Sequence, residues 1–319
     1  MQFNSDFIKF LSNYGTLRLE EEEYCFVPTL TAQKESSSHL LICPLLNWAW
    51  LKVSGVDSKK FLQGQLTCDM ESVTPQRGYF AAHCNRQGQV IATFTIYLRD
   101  EAYYLHLPSL SAPILQKALQ QYAKFSKVAI ELASPDLISI GVIGVDSTKA
   151  LRLCLGLEPP IEHQQCFHEE LYLHRMPGEV ERFVCTASVP AIINLWQELM
   201  THKAVPFSEN VWHWYDIQAF LVHIRPKTSA LYTPHAIALP EHHGVSFTKG
   251  CYTGQEIVAR MHYLGRGKRK LSHITRNIDH PYSPGDVLLD ENHKAIGMVL
   301  DSYSDTMQKT QHLLAVLYS

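Results

Sequence analysis

The sequence contains no apolar stretch long enough to cross a membrane as a helix. The uncharged apolar run His39 to Leu51 carries Cys43, Pro44 and Asn47 and falls well short of the roughly 20 residues that a bilayer requires. Met1 to Leu11 carries Asp6 and Lys9 but no basic start, apolar core or small-residue cleavage site, so an export signal is not expected. Cysteine is sparse: eight in 319 residues, with no CxxC pair, which excludes a disulfide scaffold and points to a reducing cytoplasm. Charge is also scarce, at 18% of residues, with 28 basic against 31 acidic side chains and a net −3. That balance excludes a surface built throughout to coat nucleic acid. There is no P-loop, no G-x-S-x-G and no G-x-G-x-x-G after a strand. His163, Cys166 and His168 lie close together, as do His242 and His243, but neither group has a zinc-ligand spacing, so no metal site is expected.

What is present is an ordinary globular composition, 46% hydrophobic, on a chain too long for one small core. Residues 1–37 read as a lead-in with a short helix near Phe7 to Leu11. Residues 38–135 read as a first α+β domain, completed by part of 205–265. Within it are strands at Trp48–Val53, Tyr79–Cys84, Val90–Leu98 and Tyr103–Leu107. Asn85-Arg86-Gln87-Gly88 suits a hairpin turn, and Asp57 suits a helix cap. Residues 136–204 read as a second α+β domain with helices over Thr148–Leu155 and Ala191–Thr201. Residues 205–265 hold an aromatic helix, Val211–His223. The tail 266–319 alternates short strands with polar turns and reads as a small β-barrel. Strands interleaved with helices, then an all-β end, give the α+β class.

The most informative segment is Lys249-Gly250-Cys251-Tyr252-Thr253-Gly254-Gln255-Glu256-Ile257-Val258-Ala259-Arg260. Thr253 and Glu256 have the spacing of a capping box, so a helix is expected to start near Gly254. Cys251 then lies just ahead of a helix start and beside Lys249, and both features favour a thiolate. The competing reading is a small cysteine buried in a tight turn. Arg260, Arg266, Lys268, Arg269 and Lys270 form a basic run able to meet phosphates, or simply a solvated approach to the tail. Tyr252 and Tyr263 add a weak signal for base stacking. Trp48 and Trp212 suit either a core or a flat pocket for a planar ligand, and spacing alone leaves both open.

The twelve-residue segment resembles the signature of the YgfZ family of folate-binding proteins, relatives of the glycine-cleavage T-protein (aminomethyltransferase) that act in iron–sulfur enzyme maturation and tRNA modification. Gly55-Val56-Asp57 with Phe61 to Asp69, Ala81 to Asn85 running into Gly88, and Tyr122 to Val128 resemble further family patterns. Together they cover roughly residues 44 to 270. The resemblance implies a T-protein-like fold, with α+β domains and a β-barrel domain in a ring around a folate pocket. It implies that Trp48 and Trp212 contact a tetrahydrofolate. It also implies that Cys251 and Lys249 are functional within a loop and helix that include Gly250, Tyr252, Gly254, Gln255, Glu256 and Arg260.

The chain departs from that pattern at three places. Gly88-Gln89-Val90-Ile91 continues with Ala92 and Thr93 where the T-protein has a working aspartate, and neither residue can act as a carboxylate does. Phe220 stands where the family commonly has glycine, and Ala238 where it commonly has asparagine; Phe220 is expected to narrow the pocket and Ala238 to remove a polar anchor. The function implied is a cytoplasmic folate-binding accessory protein. It supports iron–sulfur enzymes or their assembly machinery and, through them, tRNA methylthiolation. The alternatives are a folate-dependent one-carbon transferase and a direct tRNA-binding module. A single cysteine cannot hold a stable cluster by itself, since clusters usually need four ligands.

Overall fold

The computed structural model describes residues 4–20, 22–29, 39–134, 136–162, 164–265, 269–278, 281–305 and 308–318. The chain divides into two compact units, one comprising Met1–Trp48, Pro75–Arg77 and Ala133–Tyr215, the other Ala49–Thr74, Gly78–Leu132 and Asp216–Ser319.

The first unit is built on a six-stranded sheet. Its order is Gln165–His168, Leu171–Arg175, Arg182–Ser188, Leu137–Ile143, Leu41–Pro44 and Val205–Pro206. The pairings are antiparallel except the last, which is parallel. Leu137–Ile143 is buried along almost its whole length, as expected of a central strand covered on both faces. Helix Val189–Thr201 places Ile192, Leu195, Trp196 and Leu199 on one stripe, the helical spacing that seats an amphipathic helix on a sheet. The segment read from sequence as a lead-in contributes to the same core. Asn4 caps helix Ser5–Leu11 by accepting from the Asp6 and Phe7 amides, and Phe7, Leu11 and Phe26 are fully buried with Trp196.

The second unit holds a five-stranded sheet in the order Tyr79–Cys84, Val90–Arg99, Ala102–Pro108, Trp48–Ser54 and Ala129–Leu132, of which Trp48 alone falls to the first unit. It also holds a four-stranded antiparallel sheet in the order Arg269–Asn277, Thr310–Tyr318, Ala295–Asp305 and Val287–Leu289. Helix Ala112–Gln120 buries Ala112, Leu115 and Leu119 in a core with Phe94, Ile96 and Leu105. The turn over residues 85–88 forms as its sequence suggests: the Asn85 side-chain oxygen accepts from the Gln87 and Gln89 amides, and Gly88 takes a φ of 70°. Among the described residues no helix is long and apolar enough to cross a membrane.

Two local expectations are corrected. Asp57 precedes helix Ser58–Gln63 without capping it; its carboxylate accepts from the Lys127 amide at 2.7 Å instead. The aromatic helix is Glu209–Gln218 and stops before His223. Phe220 enters the left-handed region at φ 55°, its amide donates to the Ile217 carbonyl, and the Leu221 amide donates to the Asp216 carbonyl. These two bonds form a Schellman motif, whose left-handed position is usually glycine.

Candidate functional site

The helix expected from the Lys249–Arg260 segment forms as Gln255–Leu264, with Gly254 at its N-cap in the left-handed conformation, φ 84°. A Cβ on Gly254 would stand 2.4 Å from the Asn85 carbonyl oxygen and 3.0 Å from the Gly88 Cα. Only glycine lets the helix start press this closely against the hairpin turn. The capping box itself does not form. The Thr253 hydroxyl donates to the Gln65 side-chain oxygen at 3.1 Å, and no side chain caps the helix.

Lys249 has a different setting from the one its sequence position suggests. It is 8% exposed, and its ammonium donates to the Leu66 and Cys68 carbonyls at 2.9 and 2.7 Å while lying 5.1 Å from the Tyr252 ring centroid. Burial pulls its pKa down to about 8, opposed by the nearby Cys68 and Asp69. The ammonium therefore braces the loop against the 66–68 segment, where it satisfies two carbonyls.

Cys251 itself points to solvent, the one exposed cysteine of the eight. It lines an open cleft of about 580 Å³ together with Arg86, Tyr122, Tyr252, Gln255 and Glu256. The contrast with its neighbours is chemical. Cys68 and Cys84 are fully buried, and burial pushes both thiols up to about 12, so neither forms a thiolate near neutrality. Gly250 has open space around it. Arg260 pairs with Glu256 at 3.0 Å on the exposed helix face, a contact of small energetic weight.

Trp48 and Trp212 both belong to the first unit, and the residue that relates them is Glu209. This buried carboxylate accepts from the Trp48 indole N–H at 2.9 Å, the Asn47 amide at 3.0 Å and the Leu46 backbone N–H at 3.2 Å. Glu209 stands one helical turn before Trp212, so a single helix carries both. Trp48 is half-buried. Trp212 is 1% exposed: its ring covers Gly141, where a Cβ would meet it at 2.5 Å, and the buried Arg182 guanidinium lies 5.0 Å from its centroid. Sequence reading missed Glu209 and Arg182; an acid before an aromatic helix was the available signal for the first, and none pointed to the second.

Ala92 and Thr93, where the resemblance drawn from sequence expects an aspartate, are committed to structure. Ala92 is fully buried, and the buried Thr93 hydroxyl donates to the Val222 carbonyl at 2.8 Å and accepts from the Ile224 amide at 2.9 Å. Of the basic run, Arg269 and Lys270 are exposed, while Arg266 and Lys268 lie outside the described residues, as does His163.

No family model matches this chain. It is 31% identical over 284 residues to the tRNA-modifying protein YgfZ of Colwellia psychrerythraea, covering 86% of each chain. It is 32% identical over 270 residues to that of Sodalis glossinidius, covering 83% of this chain and 81% of the other. To that of Yersinia pestis it is 33% identical over 269 residues, covering 82% and 80%. In fold it is similar to the glycine cleavage system aminomethyltransferase T of Bartonella henselae, with a TM-score of 0.79 at 13% identity over 97% of this chain and 88% of the other. At 31–33% identity to these relatives over 82–86% of its length, this chain belongs to the YgfZ family.

Proposed function

We propose that this protein is a cytoplasmic, folate-binding accessory factor for tRNA modification. It acts by supporting iron–sulfur enzymes that methylthiolate tRNA and carries no aminomethyl transfer of its own. The observation that carries the reading is the conjunction of the family's tRNA-modifying relatives with a T-protein fold whose acid position holds Ala92 and a Thr93 hydroxyl bridging two backbone groups. A hydroxyl committed in this way cannot take the part of a carboxylate base or pair with a cationic amine.

In this reading Cys251 is the working residue, presented in an open cleft while Lys249 and Gly254 hold its loop. The role of Lys249 is to position that loop. A tetrahydrofolate is the cofactor. Trp48, half-buried and oriented by Glu209, offers a ring face to it, and Trp212 with Arg182 supports the helix that carries Glu209. The partners are folate and iron–sulfur enzymes or their assembly machinery.

Folate binding is tested by titrating tetrahydrofolate into the full chain and following tryptophan fluorescence. The reading expects saturable quenching, weakened about ten-fold in Trp48→Ala and also weakened in Glu209→Ala, which removes the acceptor of the indole N–H. Saturable binding equal in all three proteins would remove Trp48 from the site; absence of binding would remove the cofactor.

A further inference from the structure

Besides a second cleft lined in part by Phe220, Ala238 and Arg269, the second unit carries the cleft of Cys251, Arg86 and Tyr122. The Cys251 cleft adjoins a short turn. Tyr122, on its wall, opens the helical turn Ala123–Phe125, and at the end of that turn Phe125 is 100% exposed. A phenylalanine on a protein surface ordinarily lies along its neighbours, whereas this ring covers nothing. The turn beneath it is nevertheless firmly held. The Ser126 amide donates to the Ala123 carbonyl at 3.0 Å, and the Val128 amide to the Ser126 carbonyl at 2.9 Å. The Lys127 amide donates to the Asp57 carboxylate at 2.7 Å, and the Lys127 carbonyl accepts from the Asp57 amide at 3.4 Å.

The segment that grips it is a second turn, Gly55-Val56-Asp57. Gly55 takes a φ of 111°, and a Cβ there would stand 2.3 Å from the Lys127 carbonyl oxygen, so the two turns meet this closely only through glycine. Val56, between the two residues that make the contact, is 85% exposed. Single apolar side chains are ordinary on a surface. Here two touching turns, fixed by hydrogen bonds and a close backbone approach, each hold one out to water beside a cleft. The charge around them has one sign. Residues 54–60 and 121–128 contain four lysines and one acid, Asp57, whose carboxylate is committed to the Lys127 amide. Lys59 pairs with Glu71 at 2.6 Å, while Lys60, Lys124 and Lys127 are exposed, as is Arg86 of the cleft.

We infer that this surface docks a partner protein, whose apolar pocket, rimmed by carboxylates, takes Phe125 and Val56 and so brings the partner beside the Cys251 cleft. An aromatic side chain seated in a pocket anchors a protein interface, and charges at the rim steer the encounter and select the partner. Val56 argues against RNA as the occupant, because a branched aliphatic side chain has no ring face on which a base can stack. The basic rim argues against a second copy meeting it face to face, which would oppose like charges. That the partner is an iron–sulfur enzyme rests on the proposed function; its apolar, acid-rimmed character rests on the surface.

The test is biolayer interferometry of the full chain on an immobilised, purified iron–sulfur enzyme that methylthiolates tRNA, at low and at physiological salt. The natural chain is expected to bind, with Phe125→Ser about ten-fold weaker and Val56→Ser about three-fold weaker. Lys124→Gln combined with Lys127→Gln is expected to slow association and to flatten its salt dependence. All four side chains are exposed, and thermal melts of the variants check that the fold is kept. Equal affinity of the natural chain and Phe125→Ser, or no binding by the natural chain, overturns the inference. So does Phe125-dependent binding of labelled tRNA or of anionic vesicles, or a dimer lost in Phe125→Ser, found in place of enzyme binding. Methylthiolation restored in cells without enzyme binding keeps the functional reading and removes the docking surface. Phe125-dependent enzyme binding without restoration does the reverse.

Discussion

At the residue scale, several side chains have roles that their types do not announce. Phe220 and Ala238 both occupy the left-handed region, at φ 55°. Both replace residues that adopt this conformation readily, glycine and asparagine in the resemblance drawn from sequence. Both also line the second cleft. The departures thus act first on the backbone. Ala238→Asn is expected to stabilise the protein by about 0.5–1 kcal/mol, seen as a higher urea midpoint at unchanged slope; an unchanged or lower midpoint would contradict it. Lys249 makes a second residue-scale prediction. Its folded pKa, about 8 against an ordinary 10.5, means that between these values the unfolded chain binds more protons than the folded one. Stability from this group therefore rises as pH climbs from about 8 to about 10.5, and below 8 the burial cost is felt in full. The difference in unfolding free energy, wild type minus Lys249→Met, should increase across that window, and a pH-independent difference would refute the assignment.

At the scale of elements, the Cys251 loop is fixed by close contact between a helix start and a hairpin turn. Gly254→Ala combines a strained φ with a Cβ 2.4 Å from the Asn85 carbonyl oxygen, and is expected to cost about 2–3 kcal/mol. Gly250→Ala meets open space and should change stability by no more than about 0.5 kcal/mol. Denaturation of the two variants side by side checks the pair; equal costs would mean the loop is not held as described. The local pieces of this arrangement were legible in the sequence, because turn chemistry and helix starts are written in neighbouring residues: the 85–88 turn and the helix after Gly254 both form. What was illegible came from distant partners. The Thr253 hydroxyl, read as half of a capping box, is drawn to Gln65. The Lys249 ammonium is drawn to carbonyls more than 180 residues earlier in the chain. Trp48 is oriented by a carboxylate 161 residues away. The aromatic helix was read too long because apolar spacing continues past Gln218 while the backbone turns left-handed at Phe220.

At the scale of the whole molecule, a T-protein fold carries two separate clefts in one unit, one lined by Cys251 and one lined by Arg269. Thr93, where the resemblance drawn from sequence expects an acid, is buried and bonded to two backbone groups. These features support the proposal of an accessory role in tRNA modification. The most direct measurement is the amount of methylthiolated nucleoside in tRNA from a bacterial strain lacking its own family member, supplied either with this chain or with Cys251→Ala expressed to the same level. The account predicts that the natural chain restores the modified nucleoside and that Cys251→Ala, folded normally, does not. Full restoration by Cys251→Ala would remove that residue from the function, and no restoration by the natural chain would contradict the proposed role itself.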